Sequence, residues 1–176
     1  MIRVLVAEDH TIVREGIKQL IGMARDLEVA GEACNGEQLI EVLRRTPCDV
    51  VLLDISMPGV NGLEAIPRIR ALNEAPAILV LSMHDEAQMA ARALKAGAAG
   101  YATKDSDPAL LITAIRKVAG GGRYIDPALR KPGQSFGLVG MQERMLMLGG
   151  QLQIDSQPGE GTTLCACINL EEEIAA

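Results

Sequence analysis

The chain reads as an α/β protein built on a doubly wound, five-stranded parallel sheet, with a short helix and a β-hairpin added at its C-terminal end. Three observations predict this. Short apolar runs alternate with amphipathic stretches five times before the Gly120-Gly121-Gly122 triplet. The runs are apolar throughout rather than every second residue, the pattern of strands covered on both faces. Acidic or polar residues stand at the ends of the runs, as they do where a sheet edge carries a site.

The strands are expected at 2–7, 27–33, 50–54, 77–81 and 100–103, and the helices at 11–24, 36–45, 61–72, 86–96 and 108–119. Thr11 and Asp107 are expected N-caps, with Glu15 and Pro108 placed to support them. Gly97 closes the fourth helix and the glycine triplet ends the fifth. Residues 123–135 hold two prolines and a glycine and read as a linker between a first domain, 1–122, and a tail, 136–176. In the tail, Leu138, Met141, Met145 and Leu148 recur at helical spacing and Gly149-Gly150 stops the helix. Two strand-like runs, 151–156 and 162–170, flank Gln157-Pro158-Gly159-Glu160-Gly161; Leu164, Ala166, Ile168 and Leu170 alternate as in a half-buried strand.

Composition narrows the function. Of 176 residues, 48% are apolar and only 2% aromatic, so the core must be aliphatic and methionine-rich. The net charge is −6, and the tail is its more acidic part: 131–176 carry 2 basic and 6 acidic residues against 15 and 17 in 1–130. That balance argues against direct nucleic-acid binding. No run of about 18 apolar residues is present, and no secretory signal is read, so a cytoplasmic protein is expected. Cys34, Cys48, Cys165 and Cys167 lack zinc-like spacing and read as reduced thiols.

The chemistry gathers at strand ends. Asp54 ends the apolar run 49–54, and Ile55-Ser56-Met57-Pro58-Gly59 turns the chain away. Glu8-Asp9 follows the first run in the same relation. Three carboxylates at neighbouring strand ends suit a hard divalent cation such as Mg²⁺. Ser82 ends the fourth run and Lys104 follows the fifth. Singly, each has a plainer account: Glu8-Asp9 as a helix N-terminal charge pair, Lys104 as a solvated lysine, Ser82 as a cap. His10 and His84 also lie near these ends and read as surface histidines.

Together, Glu8-Asp9, Asp54 with Met57-Pro58-Gly59-Val60-Asn61-Gly62, Ser82, and Ala96-Gly97-Ala98-Ala99-Gly100-Tyr101 leading to Lys104 make residues 1–125 resemble the receiver domain of a two-component response regulator. The similar type is the one joined to NarL/LuxR-like DNA-binding domains, and its fold is flavodoxin-like. The resemblance implies that Asp54 takes a phosphoryl group from a sensor histidine kinase. Asp9, Asp54 and the Ser56 carbonyl would hold Mg²⁺ directly and Glu8 through water. Lys104 and the Ser82 hydroxyl would contact the phosphoryl oxygens, Tyr101 would turn inward in response, and His84 would tune dephosphorylation. A phosphorylation switch, not an enzyme in its own right, is the function implied.

The tail departs from that family. Residues 133–144 and 148–162 resemble the C-terminal end of a sensor histidine kinase ATPase domain, from its second glycine box to its last strand. The asparagine-bearing helix, first glycine box and ATP lid of that family are absent, so no ATP binding is expected. The tail's apolar helix face and free hairpin edge point to a homodimer. The output expected is protein–protein contact; constitutive assembly through the tail, or residual ATP handling, are the rivals.

Overall fold

A computed structural model describes residues 1–59, 62–83, 87–129, 145, 151–157 and 161–167. Two compact units divide the chain, Met1–Leu129 and Arg130–Ala176. In the first, β1 (Ile2–Ala7), α1 (Thr11–Met23), β2 (Leu27–Ala33), α2 (Gly36–Arg45), β3 (Val50–Asp54), α3 (Gly62–Arg70), β4 (Ala77–Ser82), α4 (Ala87–Ala96), β5 (Gly100–Thr103) and α5 (Pro108–Ala119) alternate. The sheet is parallel throughout, in the order β2-β1-β3-β4-β5, and a sixth strand, β6 (Tyr124–Ile125), pairs parallel with β5 at its edge. This strand lies in the segment whose prolines and glycine suggest a linker. Two residues carry no periodicity, and only the pairing Gly100↔Tyr124 and Tyr101↔Ile125 makes them a strand.

Continuous apolar runs become strands here because both faces are covered. Val4, Val6, Val50, Leu52, Leu79 and Leu81 share one buried cluster with Ile17 and Ile21 of α1 and Ile112, Ile115 and Val118 of α5. The alternate residues Leu5, Val51, Leu53, Ile78 and Val80 are equally buried, as are Leu39 of α2, Ile66 and Ile69 of α3, and Ala90 and Ala93 of α4. At about 1.5–3 kcal/mol for each aliphatic side chain removed from water, this is the main favourable contribution to the fold.

Local chemistry sets the helix ends. Asn35 Oδ1 accepts the Gln38 N–H at 2.8 Å, and Gln38 Oε1 reaches back to the Cys34 N–H at 2.7 Å, a reciprocal cap on α2. Asp107 caps α5 as the sequence suggests, accepting the Ala109 N–H at 2.8 Å. Thr11 does not cap α1. It is already helical, and His10 occupies the cap position without a side-chain bond. The Glu8 carboxylate takes the His10 N–H instead, at 3.1 Å. Gly97 ends α4 with φ +114°, a conformation that favours glycine.

Gly62 opens α3 hard against the end of β3. A Cβ there would stand 2.5 Å from both the Asp54 carbonyl oxygen and Ile55 Cα. Gly62→Ala should therefore push the β3 end and cost about 1–3 kcal/mol of overpacking strain. Urea unfolding of the variant would read that loss, and an unchanged midpoint would show that α3 can retreat.

In the second unit, β7 (Gln151–Gln157) and β8 (Gly161–Cys167) form an antiparallel hairpin with Gln151 opposite Cys167 and Gln157 opposite Gly161. The half-buried strand expected from Leu164 and Ala166 is not found: side chains 163–167 are exposed, Leu164 at 46%. A two-stranded hairpin has no layer of its own to cover it. Met145 is helical; Leu138, Met141, Leu148 and 168–170 lie outside the described residues.

Candidate functional site

Every strand of the sheet points its C-terminal end to one edge, and the chain's connections reverse direction between β1 and β3. Such a switch point leaves a crevice at that edge. β1 delivers Glu8 and Asp9 there, β3 delivers Asp54, β4 delivers Ser82 and β5 delivers Lys104.

The carboxylates are held where water is scarce. Glu8 and Asp54 are each 1% exposed. Burying such charge is costly unless it is paired, and Lys104 supplies the pairing. Its Nζ stands 2.8 Å from Asp54 Oδ2 and 2.6 Å from Glu8 Oε2. The first contact is a hydrogen bond; the second is an ion pair outside hydrogen-bond angles. Burial pulls the Lys104 pKa down, but the contacts with Asp54 and Glu8 outweigh it and hold the ammonium above its ordinary value. The other oxygen of each carboxylate has its own anchor. Asp54 Oδ1 accepts the Ser56 N–H at 3.0 Å, folding the following turn over the strand end. Glu8 Oε1 meets both His10 N and His10 Nδ1 at 3.1 Å, and Arg14 Nη1 donates to the Glu8 carbonyl at 2.7 Å.

Ligand atoms of Glu8, Asp9, His10 and Asp54 all lie within 4.8 Å of one another. Asp9 Oδ1 is shielded from solvent and accepts no hydrogen bond, although His10 Nδ1 lies 3.0 Å away at an unsuitable angle. A shielded, unbonded carboxylate oxygen among two further carboxylates is a donor set fitted to a small divalent cation.

Ser82 is fully buried at the end of β4, and its carbonyl accepts the Lys104 N–H at 2.8 Å. Tyr101 is also fully buried. The side chain that the resemblance expects to turn inward on phosphorylation is thus buried in this conformation. His84 lies outside the described residues.

The sequence reading gave no role to His10 in the cluster, to Arg14 behind it, or to Asp126. A histidine directly after two acidic residues was a usable signal for the first. Asp126 gave none, because nothing in a proline-containing segment marks a buried carboxylate.

Comparison with known proteins agrees with this fold. The chain is 42% identical over 126 residues to the nitrate/nitrite response regulator protein NarL of Escherichia coli strain K12, covering 72% of this chain and 58% of that one. It therefore spans little more than half the length of this curated relative. A LuxR-family two-component response regulator from Aurantimonas sp. SI85-9A1 superposes with TM-score 0.70 at 38% identity, over 73% of this chain and 92% of that one. The isolated REC domain of RcsB from Salmonella enterica serovar Typhimurium, solved with the phosphomimetic BeF₃⁻, superposes with TM-score 0.67 at 26% identity, over 73% and 95%. The model of the response regulator receiver domain matches residues 4–116, and by fold and sequence alike the chain belongs to that family.

Proposed function

We propose that the chain is a phosphorylation switch in which Asp54 is the acceptor. A carboxylate oxygen of Asp54 attacks the phosphorus of a kinase phosphohistidine, the P–N bond breaks, and the imidazole leaves as it gains a proton. The observation that carries the reading is the Lys104 ammonium standing on both Asp54 and Glu8 at the strand ends. It offers a cation to the incoming phosphoryl oxygens and keeps the acceptor oriented. Asp9, Asp54 and the Ser56 carbonyl would hold Mg²⁺, with Glu8 acting through water, and the ion when bound supplies neutralising charge for the transferred group. The Ser82 hydroxyl is the second phosphoryl contact in this reading, and His84 the residue that tunes dephosphorylation.

The partner of such a site is a sensor histidine kinase, and both would act in the cytoplasm; among the described residues no helix is long and apolar enough to cross a membrane. The output proposed is protein–protein contact, including homodimerisation, without direct DNA binding, a reading supported by the charge of −6. The tail is read as akin to the end of a kinase ATPase domain, whose last strands the β7–β8 hairpin would match, and no ATP handling of its own is proposed. The same exposed hairpin favours a second reading, in which the tail assembles copies constitutively. Light scattering with and without beryllofluoride separates the two: a mass that rises only with the mimic fits the switch, and a dimer indifferent to it fits assembly.

Acetyl phosphate and Mg²⁺ test the acceptor directly. The expected result is a hydroxylamine-labile acyl phosphate that borohydride trapping maps to Asp54. A stable adduct, or label on any other residue, would overturn the assignment.

A further inference from the structure

One buried carboxylate takes no part in the chemistry above. Asp126 follows β6 and is 1% exposed. Its N–H donates to the Tyr101 carbonyl at 2.9 Å, extending the β5–β6 pairing by one residue. Its side chain then reaches back across the sheet edge to the turn between β5 and α5. Oδ2 accepts from Thr103 N at 3.0 Å and Thr103 Oγ1 at 3.1 Å, and also from Ser106 Oγ. Oδ1 accepts from Ala128 N at 2.9 Å. Burial would raise this carboxyl's pKa, yet the bonds from Ser106, Thr103 and Ala128 hold it below its ordinary value.

What these bonds fix is the root of Lys104. Thr103 directly precedes it, and its N–H is held by Asp126. The Lys104 N–H is held by the Ser82 carbonyl at 2.8 Å. Two successive amides are thus anchored from opposite sides, one on β4 and one on the segment leaving the sheet. A lysine side chain gives up about 2 kcal/mol of rotamer entropy when ordered, so a fixed backbone root limits the ways its ammonium can miss Asp54. The Leu129 N–H in turn bonds to the Asp126 carbonyl at 3.0 Å. A continuous chain of bonds therefore runs from Asp54 through Lys104, Thr103 and Asp126 to Leu129.

We propose that Asp126 is a positioning residue for Lys104: its carboxylate sets the β5–α5 turn so that the ammonium stands on Asp54, and it ties the phosphoryl site to the segment by which the chain leaves the sheet. The inference rests on the reading of Asp54 as acceptor. A carboxylate is required because each of its oxygens faces a backbone N–H that can only donate, Thr103 on Oδ2 and Ala128 on Oδ1. Asparagine of the same shape must turn its NH₂ toward Thr103 and Ser106 or toward the Ala128 N–H, and either choice sets donor against donor.

The test is a double-mutant cycle in the full chain, reading beryllofluoride affinity in Mg²⁺ by ¹⁹F NMR. Asp126→Asn and Lys104→Ala should each weaken binding about tenfold, the scale of one charge-assisted hydrogen bond. The double variant should be no weaker than Lys104→Ala alone, because there is then no ammonium left to position. Mg²⁺ affinity by calorimetry should not fall in Asp126→Asn, since Glu8, Asp9 and Asp54 are untouched and a displaced ammonium no longer competes with the ion; general damage would lower both affinities. If the two losses add, or if Asp126→Asn binds beryllofluoride like the unsubstituted chain, the inference is overturned. Should Asp126→Asn not fold, Ser106→Ala removes one donor and should weaken binding about threefold, with no change again counting against the role. An unsubstituted chain that binds no beryllofluoride, or an Asp54→Asn variant that binds it equally, would overturn the acceptor reading and this inference together.

Discussion

Lys104→Met should unfold at markedly lower urea than the unsubstituted chain at pH 7 without divalent cations. The side chain keeps its length and loses its charge, leaving Glu8 and Asp54, each 1% exposed, to face one another without the cation that stood 2.6 and 2.8 Å from them. Removing one partner of a buried ion pair costs about 3–5 kcal/mol. One remedy is open to the variant, and it can be measured. A divalent cation replaces the lost charge, so millimolar Mg²⁺ should restore more stability to the variant than to the unsubstituted chain. The Lys104 pKa is raised in the folded state, so its contribution is fully present below the unfolded lysine value and fades only as alkaline pH passes the folded one. The deficit of the variant should therefore narrow at alkaline pH, where the unsubstituted chain loses the same charge. Equal gains from Mg²⁺ in the two proteins would mean that the ion pair does not exist in solution.

The same ion pair shows what the sequence could and could not disclose. Asp54 and Glu8-Asp9 were legible because each ends a run whose apolar character fixes it as a buried strand. A residue just past a strand end has little freedom in where it projects. Lys104 was legible by the same argument from β5. The bond that joins them was not, since no spacing rule says whether a lysine reaches 2.8 Å from a carboxylate or turns to water. β6 escaped for a different reason: Tyr124-Ile125 is too short to show a period, and its strand character comes wholly from Gly100 and Tyr101 beside it. Asp126 escaped with it. The N-cap of α1 was misplaced because a threonine ahead of an apolar period is a good cap in general. Here the adjacent Glu8 carboxylate satisfies the His10 N–H and moves the boundary by one residue. Residues whose role depends on one element's side chain meeting another's backbone are visible only once the sheet is assembled.

Asp9→Asn carries the other large expected effect, and it separates stability from function. Asp9 Oδ1 is shielded and accepts no hydrogen bond, and one Asp9 oxygen lies within 4.8 Å of the Glu8 and Asp54 ligand atoms. Lys104 pairs with Glu8 and Asp54 alone, and Asp9 adds a third carboxylate beside them, so without a bound cation the site is held together against its own repulsion, a strain that functional sites often retain. Taking the charge from Asp9 leaves the Lys104 contacts in place and should raise stability by about 1 kcal/mol at neutral pH in the presence of a chelator, the scale of a like-charge contact at about 4 Å in a water-like dielectric. The same change takes from the site the negative charge that a shielded, unbonded oxygen would offer a metal. Mg²⁺ affinity should fall by at least about tenfold to a hundredfold, on the scale seen for lost metal contacts. Thermal melts read both effects in one experiment. The unsubstituted chain should gain in Tm with rising Mg²⁺ as mass action requires; the variant should start higher and stay flat. A variant that starts lower would mean Asp9 is held by contacts it does not have here. One that starts higher yet still responds to Mg²⁺ would mean that Glu8 and Asp54 hold the ion without it.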